Sequence, residues 1–155
     1  MNYYFQNKDR QSALYAAAQS WLGTPFFPAA QSRGHGVDCV RYAAALMEAT
    51  GALTNFTFPV YTLDSAKHTT RSQLLDYLLN TAPCAGRLVF VPVHGPRLPG
   101  DLYALRSGRT DHHLAVHLPW EKVTHCIEDA GVVIHEASDE DFRKRILYIL
   151  RVLEP

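Results

Sequence analysis

Gly34-His35-Gly36-Val37-Asp38-Cys39-Val40-Arg41-Tyr42 is the stretch on which the fold is read. Two glycines loosen a loop that runs into a segment with Val40, Ala43, Ala44 and Met47 at helical spacing, closed by Gly51. A helix over about 39–50 is expected. Asp38 is a good N-cap, because its carboxylate accepts from the free amides of the first turn. Cys39 then takes the first helical position, where the helix dipole and unpaired N–H groups favour a thiolate and can hold an oxyanion. A thiol at that address is a candidate nucleophile.

Upstream, Leu14, Ala17, Ala18 and Trp21 form an apolar stripe, so residues 9–22 read as a helix ended by Gly23 and Pro25. Residues 24–37 hold two prolines and two glycines and read as a loop without a regular element. From 52 to 68 no clear period appears; Phe56, Phe58, Val60 and Tyr61 suggest an extended piece or loop that walls a cleft. Thr70 followed by Gln73 looks like a capping box, with Leu74, Leu75, Leu78 and Leu79 making a helix that ends before Pro83. After Cys84 the pattern turns to β, with strands expected at 87–93, 101–105, 114–118, 122–127, 132–136 and 146–153. Helices first and strands afterwards is an α+β order. At 155 residues and 47% hydrophobic content, 1–155 is expected to bury one core as a single domain.

Composition narrows the function classes. Lysine plus arginine equals aspartate plus glutamate at 15 each, with no basic stripe, so nucleic-acid binding is not expected. The start Met1-Asn2-Tyr3-Tyr4-Phe5-Gln6 lacks the basic start and apolar run of a secretion signal, and no membrane span is present. A cytoplasmic protein as encoded is expected. Cys39, Cys84 and Cys126 are odd in number and lack paired spacing, which favours free thiols.

The histidines make the second half specific. In Asp111-His112-His113-Leu114-Ala115-Val116-His117-Leu118, alternation puts Leu114, Val116 and Leu118 on one face and His113, Ala115 and His117 on the other. If this strand turns back through Pro119-Trp120-Glu121, His113 and His125 come close together; a one-residue slip would exchange His113 for His112. A cysteine at a helix mouth, a histidine and a second polar group form the set needed for acyl transfer. Cys39 would attack a carbonyl, His113 would take and return the proton, and His125 would fix the ring tautomer. His35, His68, His94, His117 and His135 read as packing or surface residues, and Cys84 and Cys126 as buried thiols. A zinc site from His113, His117, His125 and Cys126 is the rival reading, but no C-x-x-C or H-E-x-x-H spacing is present. No metal or other cofactor is therefore expected.

With those residues in place, the chain resembles the NlpC/p-sixty cell-wall peptidases, papain-like cysteine hydrolases of peptidoglycan stem peptides. Trp21-Leu22-Gly23-Thr24-Pro25-Phe26 resembles the family's W-x-G-T-P-Y opening, and Gly36-Val37-Asp38-Cys39 its G-x-D-C nucleophile motif. Gly100-Asp101-Leu102 resembles its G-D-L, and His113-Leu114-Ala115-Val116-His117-Leu118 its H-V-G-I-Y-L; His125 stands where a third polar residue is often found. The resemblance implies N-terminal helices packed on a C-terminal antiparallel sheet, a peptidoglycan stem peptide or related amide as substrate, no cofactor, and substrate contacts from Asp38, Phe26 and Arg41. Phe26 replaces a tyrosine whose hydroxyl helps hold the substrate amine, and Val40-Arg41 replaces Ser-Gly, putting a bulky cation beside the cleft. The Gln31-Ser32-Arg33-Gly34 approach is similar to the phage-tail and gene-transfer-agent branch, which implies delivery to the cell wall. An inactive peptidase-like part of a phage tail or envelope assembly is the alternative that these departures motivate.

Overall fold

A computed structural model describes residues 1–58, 73–107 and 110–155, the side chains of 110 and 111 excepted. Caps set the first two helices. Asn7 accepts from Arg10 N at 3.1 Å and starts α1, Lys8–Trp21, after a 3-10 turn at Tyr4–Gln6. Asp38 Oδ1 accepts from Arg41 N at 2.8 Å and starts α2, Cys39–Ala49; beyond its end Gly51 turns the chain with φ +73°. One buried stripe is expected on α2, yet Cys39, Val40 and every residue from 42 to 47 are buried. Three successive alanines, Ala43, Ala44 and Ala45, let neighbours approach from several sides. α3, Gln73–Asn80, buries Leu74 and Leu78; Thr70 and most of the 52–68 segment lie outside the described residues.

The 24–37 loop departs from expectation. It contains a two-rung antiparallel pair, β1 (Gln31–Ser32) with β2 (Gly36–Val37), turned by Gly34 at φ +83°. The remaining strands are β3 (Leu88–Val91), β4 (Leu102–Ser107), β5 (Thr110–Leu118), β6 (Lys122–Ile127), β7 (Gly131–Glu136) and β8 (Ile146–Val152). They form one antiparallel sheet in the order β3-β8-β4-β5-β6-β7. β5 begins earlier than its apolar alternation indicates, because Thr110 and Asp111 still pair with β4 across a bulge after Leu105. Between β7 and β8 lies α4, Glu140–Lys144, capped by Asp139 on Phe142 N at 3.0 Å. Five residues are too few for an apolar period; acids at its start and bases at its end are its sequence signal.

Alternation in β5 divides two cores. Leu114, Val116 and Leu118 pack with α1 and α2, while Ala115 packs on the other face with Tyr103, Leu105, Val123, Ile149 and Phe142 of α4. Tyr42 ties α2 to the sheet through a 2.7 Å hydrogen bond to Thr124, whose hydroxyl in turn donates to Val133 O. β5 and β6 share three rungs, Leu118↔Lys122, His117↔Val123 and Val116↔Thr124. Beyond Val116 the two strands part.

The chain leaving α1 is stitched to β7: Gly23 N donates to Val132 O, and Val132 N to Thr24 O at 2.9 Å. That approach requires Gly131, which has φ +74° and where a Cβ would stand 2.2 Å from Thr24 O. Gly131→Ala is expected to cost about 3 kcal/mol. Gly34→Ala, equally left-handed but with nothing within 4 Å, is expected to cost about 1 kcal/mol. Urea unfolding of the two variants checks the difference; equal midpoints would refute it.

Candidate active site

Cys39 sits beside β5 close to where β5 and β6 part. His117 exchanges both of its backbone hydrogen bonds with Gly100 and Asp101, on the β4 side, so even-numbered residues of β5 point toward β6. His112 O and Leu114 N therefore face the split. The Cys39 thiol donates to His112 O at 3.6 Å, and the amides of Leu114, Val40 and Cys39 act on the sulfur in the direction that favours a thiolate. Cys39 as a residue is 6% exposed. Burial, with the neighbouring Asp38 charge, pushes the thiol up to about 12 against the pull of those amides. The helix address predicts a thiolate; desolvation reverses that expectation, because a buried charge loses more in hydration than the start of the helix returns.

The other face of the split carries the imidazoles. His113 shares the face of Ala115, and its Nε2 lies 2.6 Å from His125 Nδ1, with ring centroids 4.9 Å apart. Across the next pair of strands, His125 Nε2 lies 2.9 Å from His135 Nε2, and His135 Nδ1 donates to Glu136 O at 2.9 Å. Phe142 packs its ring against both His125 and His135. Burial and Arg145 lower His113 to about 4; burial, the two neighbouring imidazoles and Arg145 lower His125 to about 2. Both rings are neutral at pH 7. Among the described residues no hydrogen bond joins Cys39 to His113. Cys39 packs with the core on the α2 side, and the paired rings lie on the opposite face of the sheet, toward Phe142.

Asp38 is fully engaged. Its Oδ2 accepts from Ala29 N at 2.9 Å and from Arg41 Nη1 at 2.7 Å, and the Arg41 guanidinium lies 4.4 Å from the centroid of the Phe58 ring. Phe26, half-buried against the first core, bridges Val37 one residue before Asp38. The four residues of the zinc reading do not converge. His117 is buried and bonds Tyr103 OH through Nδ1 at 2.7 Å, while the Cys126 thiol donates to Val37 O at 3.2 Å on the α2 side. His94 is exposed, as is His35, and His68 lies outside the described residues. His135, read from sequence as packing or surface, is joined to His125; its signal was the alternation that puts it on the face of Val133, opposite His125 in the register.

No family model and no curated protein matches the sequence. Solved structures do. An NlpC/P60 family protein from Bacillus cereus aligns with a TM-score of 0.62 at 18% identity, over 93% of this chain and 40% of its own. A protein from Staphylococcus aureus described as similar to a lipoprotein of the NLP/P60 family aligns with a TM-score of 0.62 at 14% identity, over 96% and 43%. The NlpC/p60 domain of the peptidoglycan hydrolase SagA aligns with a TM-score of 0.52 at 18% identity, over 93% and 98%. The chain spans less than half the length of the first two and nearly all of the third. Its helices, its antiparallel sheet and the strand order around Cys39 make this the α+β fold of the papain-like NlpC/P60 domains.

Proposed function

We propose that the chain is a cysteine hydrolase that cleaves an amide bond in peptidoglycan stem peptides. Cys39 is the nucleophile, His113 the general base and acid, and His125 the group that orients His113. One observation carries this reading: the Cys39 thiol donates to His112 O of β5, and the next residue, His113, pairs its ring with His125 of β6 beyond the last β5–β6 rung. Likeness to the domain of a peptidoglycan hydrolase supports the substrate class. Delivery to the wall by a phage-like or other system belongs to the same reading.

A thiol near 12 is not a stored thiolate, so attack and deprotonation are coupled. As the sulfur leaves the His112 carbonyl and bonds to the substrate carbonyl carbon, its proton passes to neutral His113. Hydrogen bonds of catalytic groups often tighten only when substrate is bound. The amides at the start of α2 are the donors for the oxyanion. His113 then gives the proton to the departing amine as the C–N bond breaks, and water removes the acyl group by the same exchange. A second reading, a peptidase-like scaffold without activity, is favoured by the Asp38–Arg41 pair, which occupies the carboxylate that the family resemblance assigns to the substrate amine.

Digestion of purified peptidoglycan by wild type is expected to release peptide fragments that Cys39→Ala does not; identical mass spectra from the two proteins would end the hydrolase reading. His113 accepts a proton only when neutral, and its lowered pKa keeps it neutral as pH falls to about 4. The profile of kcat/KM should therefore lose its acid limb near pH 4 and stay flat from about pH 6 to about pH 9. A bell centred near neutrality would point to a preformed ion pair instead. Iodoacetamide labelling of Cys39, read by mass spectrometry of its peptide, should be on the order of a thousandfold slower at neutral pH than that of an ordinary thiol near 8.5. Its rate should still be rising at about pH 10; pH-independent labelling between about 5 and about 9 contradicts the buried neutral thiol.

A further inference from the structure

His135 lies two strands from Cys39 and outside every motif of the sequence, yet the hydrogen bonds that lead from it define a direction. A backbone carbonyl has lone pairs and no proton, so the 2.9 Å contact between His135 Nδ1 and Glu136 O requires the hydrogen on Nδ1. A neutral His135 then has a bare Nε2. That nitrogen faces His125 Nε2 at 2.9 Å, which must donate, leaving His125 Nδ1 bare. His125 Nδ1 in turn faces His113 Nε2 at 2.6 Å, which must donate as well. The last nitrogen in the sequence, His113 Nδ1, is left with an open lone pair. Three rings are thereby held in single tautomers by one carbonyl.

We propose that His135 is a positioning residue, whose bond to the Glu136 carbonyl fixes the tautomers of His125 and His113 so that His113 Nδ1 is the bare basic nitrogen. The proposal rests on the reading of Cys39 and His113 as the hydrolytic pair. It adds to that reading the atom that takes the thiol proton and the residue that keeps it bare. In forward transfer the proton goes from Cys39 Sγ to His113 Nδ1, and the imidazolium keeps donating through Nε2 to His125. No further proton needs to move, and the charge on His113 is met by the bare nitrogen of His125. Phe142 packs edge-on against His125 and His135 and holds their planes.

The test reads tautomers directly. Long-range ¹H–¹⁵N correlation spectra of the full chain with labelled histidine should show the proton on Nδ1 in His135 and on Nε2 in His125 and His113. His135→Phe keeps a ring but removes the acceptor, and is expected to give mixed tautomers at His125 and His113. It should lower kcat by on the order of 10-fold, with KM little changed. His135→Gln places a carbonyl oxygen near the former Nε2 and is expected to restore both the single tautomers and kcat. A proton on Nδ1 of His113 in the wild type, or tautomers at His125 and His113 unmoved by His135→Phe, overturns the proposal. The spectra do not depend on turnover: correct tautomers together with peptidoglycan products that survive Cys39→Ala would remove the hydrolase reading alone.

Discussion

The constraint on which the site depends is the short ladder between β5 and β6. Three rungs hold these strands and then stop, although both strands continue. A strand whose amides and carbonyls face no partner carries a cost for every buried polar group left unpaired. Here the first residue of α2 puts a thiol against His112 O. The same opening gives the imidazoles of His113 and His125, on adjacent strands, room to meet ring to ring. Cysteine and histidines reach one split from opposite sides because the sheet fails to close there.

Magnitudes decide the ionisation state at that split. Moving the thiol from 9.0 to about 12 corresponds to about 4 kcal/mol against the charged form. A helix N-terminus returns at most about 2 kcal/mol in favourable, partly buried geometry. Burial wins, so the resting sulfur is a hydrogen-bond donor. The histidines obey the same rule with opposite sign, since burial disfavours the imidazolium and leaves a neutral base. A neutral thiol beside neutral imidazoles avoids isolated buried charge altogether. The nearby charged pair, Asp38 with Arg41, is compensated within itself by a 2.7 Å contact and shares its carboxylate with two backbone amides.

Much of the frame was legible in the sequence because it depends on short-range rules. Asp38 caps α2 through an amide three residues away, and Cys39 follows it by adjacency alone. Alternation sorted Leu114, Val116 and Leu118 from His113, Ala115 and His117, as the two cores of the sheet divide them. The hairpin through 119–121 brought His113 toward His125 because strand phase and turn position are both local. What escaped lacked a period or a neighbour. α4 spans five residues, and the β1–β2 pair has two rungs inside a glycine- and proline-bearing loop.

The sequence by itself determined the helix that carries the cysteine, the faces of the strands, and the α+β order, since caps and periodicities are set within a few residues. Only the tertiary structure decided that the thiol is buried and neutral, that β5 and β6 part on the N-terminal side of Val116, and that His135 joins His125. Desolvation depends on everything packed around an atom, and the register of β7 against β6 is a relation between segments that local spacing does not specify.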